Sequence, residues 1–305
     1  KGQSLDSSKV VEKLPNFLKD GITTPGPYSA LIMNSLALTS VDEPDWKNVA
    51  GRLKLFELYR KIRSLRGTPK NASPYNYPEF LDYAVANGIY TPELKSKYTA
   101  EEINIAASFI KPEFDLVYDY AGINLLIKRY LCEYNDSIVE LPQEMFLTIA
   151  LLIEQNEDKN KRMAQVEDTY RKLADRKISL ATPLLMNLRR PHGNLSSCFI
   201  TMMDDSRDSI FYVIDQISAI SKFGGGVGVN ISRVRCKGAR IKGIKNSSGG
   251  VIPWIRIIND TAVAVNQQGK RKGAVTVSLD MWHLDIEDFL ELRTENGDQR
   301  MKAYD

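Results

Sequence analysis

The sequence predicts an α/β protein with a helical N-terminal portion, and three observations carry that reading. Apolar residues recur at helical spacing in stretches up to about residue 177. After residue 178, short segments rich in Val, Ile and Thr alternate with amphipathic stretches. Glycine turns such as Gly224-Gly225-Gly226-Val227-Gly228 punctuate that second half. Strand-helix alternation of this kind builds either a barrel or a doubly wound sheet.

The elements follow in order. Ser7 or Ser8 is placed to cap a first short helix. Asp20-Gly21 and Pro25-Gly26-Pro27 are turn signals, and Tyr28 to Leu38 has helical spacing. Trp46 to Arg63 is the clearest early helix, with Trp46, Val49, Leu53, Phe56 and Tyr59 or Arg60 on one side. The stretch Gly67 to Pro74 opposes regular structure and reads as a linker. Thr99-Ala100-Glu101-Glu102 has the form of a capping box. Pro142 opens a helix through Met145, Leu147, Ile149, Leu152 and Ile153, and Gln165 to Lys177 forms another. Beyond residue 178 the expected strands are 197–202, 226–231 and 274–278. The expected helices are 210–222, with Ile210, Val213, Ile214, Ile217 and Ile220 along one side, and 252–265.

Composition excludes several classes. The chain has 305 residues, enough for a sizeable core in one to three domains. A net charge of +3, from 41 basic and 38 acidic residues, argues against nucleic-acid binding through bulk charge. The apolar runs are too short to cross a membrane, and the N-terminus lacks a charged-then-apolar signal segment. Cys132, Cys198 and Cys236 form no CxxC pair, which fits a reducing compartment and a cytoplasmic location. With only His192 and His283, a His/Cys zinc site is not expected. Lys1-Gly2-Gln3 reads as a start inside a longer sequence.

Several motifs then fall in a fixed order. Thr182-Pro183 is followed by Ser196-Ser197-Cys198, then by Asp205-Ser206 and a helix, then by the glycine run. Arg233-Val234-Arg235 and Ile241-Lys242-Gly243 come next, then Gln267 through Gly273, then Met281-Trp282-His283-Leu284-Asp285-Ile286. In this order and spacing they resemble the large, catalytic subunit of ribonucleotide reductase, and the resemblance covers nearly the whole chain. It implies a partial ATP-cone-like segment at 1–66, carried by Asp20 to Thr24 and Pro44 to Leu53. It implies a helical N-terminal domain at 77–177, and at 178–305 the first part of a ten-stranded α/β barrel with effector-binding and dimerisation elements. The front of the cone is absent, so that segment is not expected to bind ATP by itself.

The same resemblance assigns roles. Cys198 becomes one thiol of a redox pair that reduces the ribose and closes to a disulfide, reopened by exchange. Without the family match, a small buried cysteine is the plainer reading. Cys132 and Cys236 lie outside the motif and read as packing or surface residues. Thr182, Ser197, Gly225 and Gly226 fall to the substrate, where hydroxyls and close backbone N–H groups suit phosphates and ribose. A tight helix-to-strand turn is the bland reading of that glycine run, which lacks both the P-loop and the dinucleotide fingerprint. Asp205, Ser206, Arg235 and Ile241 fall to a nucleoside triphosphate effector: a carboxylate accepts from a ribose hydroxyl, and a guanidinium clamps phosphate. Asp205 is equally placed to cap the following helix, and Arg235 to lie on a solvated basic surface. Gln267 and Arg271, in the loop that relays effector identity, fall to substrate selection, with a polar surface loop as the alternative.

The resemblance also implies what this chain needs. The radical cysteine, its Asn and Glu neighbours and the second redox cysteine match positions after Asp305, so the chain alone is expected to be inactive. It is read as part of a longer polypeptide, or as one piece of a split subunit. No cofactor is expected on the chain itself apart from nucleoside triphosphate effectors. The expected partners are the remaining C-terminal part of the subunit, a metal-containing small subunit that generates the radical, and a second copy through 210–222. Thioredoxin or glutaredoxin is the expected reductant. The cone-like start favours the class with a separate small subunit; an adenosylcobalamin-dependent relative and a non-catalytic nucleotide-binding module stay as alternatives. An NAD oxidoreductase is disfavoured by the missing GxGxxG.

Overall fold

A computed structural model describes residues 5–11, 25–70, 72–265, 274–292 and 294. The chain divides into two compact units: residues 1–180 with 185–192, and residues 181–184 with 193–305.

The first unit is helical. Its elements are α1 (Ser8–Val11), α2 (Pro25–Leu38), α3 (Trp46–Arg66), α4 (Tyr77–Ala86), α5 (Glu93–Lys97), α6 (Ala100–Ser108), α7 (Tyr120–Leu125), α8 (Pro142–Ile153) and α9 (Lys159–Ala174). A two-stranded hairpin, β1 (Glu133–Tyr134) and β2 (Ser137–Ile138), turns through Asn135 and Asp136, both at positive φ. Local chemistry explains most boundaries. Thr99 and Glu102 form the expected capping box on α6. Pro142 sits at the start of α8, where its missing N–H costs nothing. Gly67 ends α3 in the left-handed conformation. At α1 the carboxylate of Asp6, rather than Ser7 or Ser8, accepts from the exposed Ser8 N–H.

The buried face of α3 differs from the expected stripe. Trp46 and Tyr59 are buried, but the rest of the core face is Ala50, Gly51, Leu55, Leu58 and Ile62, while Phe56 is half exposed. The reason is that α3 packs against both α2 and α7, so two faces are covered instead of one. Helix α8 goes further: every residue from Pro142 to Leu152 is buried. Leu147, Ile149 and Leu151 of α8 join Leu55, Leu81, Leu94, Ile123 and Tyr170 in one core.

The second unit opens with α10 (Thr182–Asn187), whose later residues return to the first unit. It then runs β3 (Cys198–Met202), α11 (Arg207–Lys222), β4 (Gly226–Asn230), α12 (Ile252–Val265), β5 (Ala274–Ser278) and α13 (Ile286–Glu291). The strands are parallel in the order β3-β4-β5. Val227 and Val229 point into a core made with Ile210, Val213 and Ile217 of α11 and Ile255 and Ile258 of α12. Both helices therefore cover the same sheet face. Consecutive strand order with helices on one face is the winding of a barrel rather than of a doubly wound sheet, whose order reverses.

Candidate active site and nucleotide loop

Strand alternation decides what the uncovered sheet face carries. Val227 and Val229 face the helices, so Gly226, Gly228 and Asn230 face the other way. Cys198 pairs in register with Gly226, which pairs with Ala274; Ile200 pairs with Gly228, and Gly228 with Thr276. The open face thus sets an exposed thiol beside small residues on both neighbouring positions. Cys198 begins β3, an edge strand among the described residues.

The glycines beside it have distinct physical reasons. A Cβ on Gly225 would lie 2.5 Å from Ile220 Cγ2 and 3.1 Å from Phe199 Cε2, so packing alone requires glycine there. A Cβ on Gly226 would meet its nearest neighbours, Ser197 O and Ala274 O, at 3.6 and 3.9 Å, which is ordinary contact. Its absence leaves room on the Cys198 face. The Ser197 carbonyl accepts the Gly226 N–H at 2.9 Å, tying Ser197 to the ladder. Thr182 is half-buried at the start of α10 in the same unit.

Cys236 is set apart from this face. β4 rises about 13 Å from Gly226 to Asn230, and Cys236 lies beyond its far end. Its neighbours are anchored there: Arg235 N–H to Asp205, just past β3, and Lys237 N–H to Asp285, past β5. Cys198 and Cys236 are thus at opposite ends of the sheet, outside disulfide reach. Cys132 is buried in the helical unit, and burial, with Glu140 nearby, pushes its thiol up to about 11. It stays protonated at neutral pH and is a packing residue.

The residues expected to hold the effector gather after the C-terminal ends of β3 and β4, the end at which parallel α/β sheets place ligands. The Asp205 carboxylate accepts from Arg235 N at 3.2 Å and from Arg235 Nε at 2.7 Å. Arg235 Nη1 also donates to the Arg240 carbonyl at 3.0 Å. Asp205 is not the helix cap: Ser206 is, its hydroxyl accepting from the Ser209 N–H at 3.1 Å. A cap must have its side chain one residue before the first helical turn, and Ser206 holds that place. Ile241 is exposed in the loop that follows. Gln267 and Arg271 lie outside the described residues.

Two residues in this region were not singled out as site candidates from sequence. Asp285 is 5% exposed and accepts from the backbone N–H groups of Lys237 and Val251. His283 bridges the Val234 carbonyl and the Asp285 N–H. The only signal was their place in Met281 to Ile286, which gave no partner.

Comparison with known proteins now adds to this geometry. Residues 116–193 match the model of the ribonucleotide reductase all-alpha domain, and residues 196–305 that of its barrel domain. Over 307 aligned residues the chain is 46% identical to the ribonucleoside-diphosphate reductase subunit alpha of Synechocystis sp., covering 100% of this chain and 38% of that protein. Identity to the like-named subunit of Treponema pallidum is 39%, over 99% of this chain and 35% of the relative. The like-named protein of Enterobacteria phage T4 is 32% identical, with 97% and 39% covered. The chain spans little more than a third of the length of these relatives. The helical unit and the parallel, barrel-wound sheet follow one another in the order of the all-alpha and barrel domains that the two stretches match. The chain belongs to the ribonucleotide reductase large-subunit family.

Proposed function

We propose that this chain forms the N-terminal part of a ribonucleoside-diphosphate reductase large subunit and that Cys198 is one of its two reducing thiols. The observation that carries the reading is the exposed Cys198 in register with Gly226 and Ala274 on the uncovered sheet face. Two thiols supply two electrons and two protons: the ribose 2′-hydroxyl leaves as water, hydrogen takes its place, and the sulfurs join as a disulfide. Cys236, at the far end of the sheet, and Cys132, buried with a raised thiol, are read as other than the partner; the family resemblance implies that the second thiol matches a position after Asp305. Thioredoxin or glutaredoxin restores the pair by exchange.

Around that thiol, Thr182, Ser197, Gly225 and Gly226 bind the substrate, with Gln267 and Arg271 selecting its base. Asp205, Ser206, Arg235 and Ile241 bind a nucleoside triphosphate that controls selection. With effector bound, the Asp205–Arg235 pair opens to serve ribose and phosphate. We read 1–66 as the partial cone-like segment, 77–177 as the helical domain and 178–305 as the first part of a ten-stranded barrel. The radical comes from a separate metal-containing small subunit, the location is cytoplasmic, and two copies pair through 210–222. Exposed Phe211 and Tyr212 on α11 support that pairing.

The test is Cys198→Ser in the full-length protein with its small subunit and a dithiol reductant. Turnover is expected to vanish while nucleoside triphosphate binding persists. Turnover surviving at the unmodified rate would remove Cys198 from the chemistry. Nucleotide binding without turnover in the unmodified, complete protein would favour a non-catalytic regulatory module.

A further inference from the structure

The loop from β4 to α12 is a closed hairpin with a fixed neck. Lys237 and Gly249 face each other as an antiparallel bridge, and Gly238 N–H donates to the Ser248 carbonyl at 2.9 Å. At the tip, Ile241 and Ile244 exchange both backbone hydrogen bonds. Lys242 and Gly243 between them have φ of 48° and 85°, the geometry of a two-residue hairpin turn. Residues 240–247 are exposed. The tip therefore owes its direction to whatever holds the neck.

The segment after β5 holds it at four points. Asp280 N–H donates to Ser232 Oγ at 2.8 Å. His283 Nε2 lies 2.8 Å from the Val234 carbonyl, and His283 Nδ1 accepts the Asp285 N–H at 3.1 Å. A carbonyl only accepts, so Nε2 carries the hydrogen and the ring is neutral. The Asp285 carboxylate takes the Lys237 N–H on Oδ1 at 2.9 Å and the Val251 N–H on Oδ2 at 3.0 Å. One buried carboxylate thus spans both ends of the neck. Gly250 makes room for it: its φ is +75°, and a Cβ there would strike Asp285 Oδ2 and approach Lys237 N to 2.8 Å.

A buried carboxylate is costly unless its oxygens are satisfied, and backbone N–H groups satisfy these. The Lys237 ammonium is turned to Asp288, at 3.6 Å. The arrangement fixes Arg235 between Val234, held by His283, and Lys237, held by Asp285.

We propose that Asp285, seconded by His283, is a positioning residue for the nucleotide loop: it presets Arg235 and Ile241 for the effector and so raises effector affinity. The inference rests on the reading above that this loop grips a nucleoside triphosphate. The device works by lowering the cost of ordering the loop on binding. Because residues 280–285 follow β5 directly, it also fastens the effector loop to the strand that follows Gln267 and Arg271.

The experiment uses the full-length protein and measures the Kd of a deoxynucleoside triphosphate, with amide hydrogen exchange of peptides covering 237–251. Asp285→Asn keeps the shape but turns an N–H donor toward one of the two backbone donors. Its Kd is expected to rise about tenfold, with faster exchange confined to 237–251. His283→Ala, which leaves the carboxylate in place, is expected to raise Kd by about two- to threefold, and serves alone if Asp285→Asn does not fold. A general loss of stability would quicken exchange throughout without this localisation. Unchanged Kd and exchange in the folded variants would overturn the inference while leaving the loop's effector role standing. No nucleotide binding by the unmodified protein would overturn both.

Discussion

Asp115 shows how a single buried group in the helical unit makes a measurable signature. It lies in a short 3-10 segment, Pro112–Val117, and is 1% exposed. Tyr59 and Tyr75 donate their hydroxyls to one carboxylate oxygen, and Gln143 Nε2 donates to the other at 2.7 Å. Burial pushes the carboxyl up to about 6, against those three bonds. The folded state then binds a proton more tightly than the unfolded chain, whose carboxyl titrates near 3.9. Between those values the folded state holds more protons, so stability falls as pH rises and the loss is complete above about pH 6. The size is about 3 kcal/mol at most. Asp115→Asn removes the titration. The stability difference between the two proteins should shift by that order in favour of the variant from pH 4 to pH 7. Urea unfolding at both pH values measures it, and a constant difference would show that burial does not set this carboxyl.

At the scale of elements, glycine contrasts separate steric need from conformational need. Where α3 crosses the start of α7, a Cβ on Gly51 would stand 2.6 Å from both Tyr118 O and Asp119 C, and 2.8 Å from Tyr120 N. Those are backbone atoms, so the helices must separate. Gly67 has open space around its Cβ position and a φ of +66°. Gly51→Ala should therefore cost about 1–3 kcal/mol through overpacking, and Gly67→Ala only about 1 kcal/mol through strain. Denaturant midpoints rank the two; the reverse order would mean that α3 and α7 part easily. The sequence made Gly67 legible, because a turn-rich stretch followed a helix. Gly51 sat unmarked, because its reason is a backbone 67 residues or more away in sequence. The same divide runs through the fold. Helices 142–153 and 252–265 and strand 274–278 were read with their observed bounds, since apolar periodicity and Pro142 mark them locally. Helix α9 starts six residues before its expected start, because its first turns are polar and only Asp158, accepting from Asn160 N–H, signals them. Hairpin β1–β2 escaped, being two residues per strand. In the candidate site, Cys198, Asp205 and Arg235 stand out through the motifs that carry the family resemblance, while the ion pair between Asp205 and Arg235 is a tertiary feature. The cap at Ser206 is local, with Ser209 three residues on, whereas the contacts of His283 and Asp285 depend on tertiary partners that spacing does not reveal.

For the whole molecule, the decisive feature is apolar surface that its own described residues do not cover. On the uncovered sheet face Ile200 is 91% exposed. Past β5, Met281, Trp282 and Leu284 are 80%, 78% and 83% exposed. Among the described residues β3 and β5 are edge strands, each offering an unpaired row of backbone groups. Patches of this kind on single chains mark interaction surfaces or association liabilities. The helical unit carries a closed charged interior, with Glu140 and Arg189 both fully buried and paired at 2.5 Å through Nε. The two units should therefore behave differently when residues 1–305 are made alone. The chain is expected to elute from a sizing column above monomer mass and to bind an apolar dye, while the helical unit resists proteolysis. If, as proposed, the chain is the N-terminal part of a longer large subunit, adding the rest of that subunit should lower dye binding and yield a defined species by covering Ile200 and pairing with β3 and β5. A stable, monodisperse monomer that binds no dye would show that the sheet face is tolerated by solvent. Cys198 would then stand on a finished surface instead of inside a barrel completed by further chain.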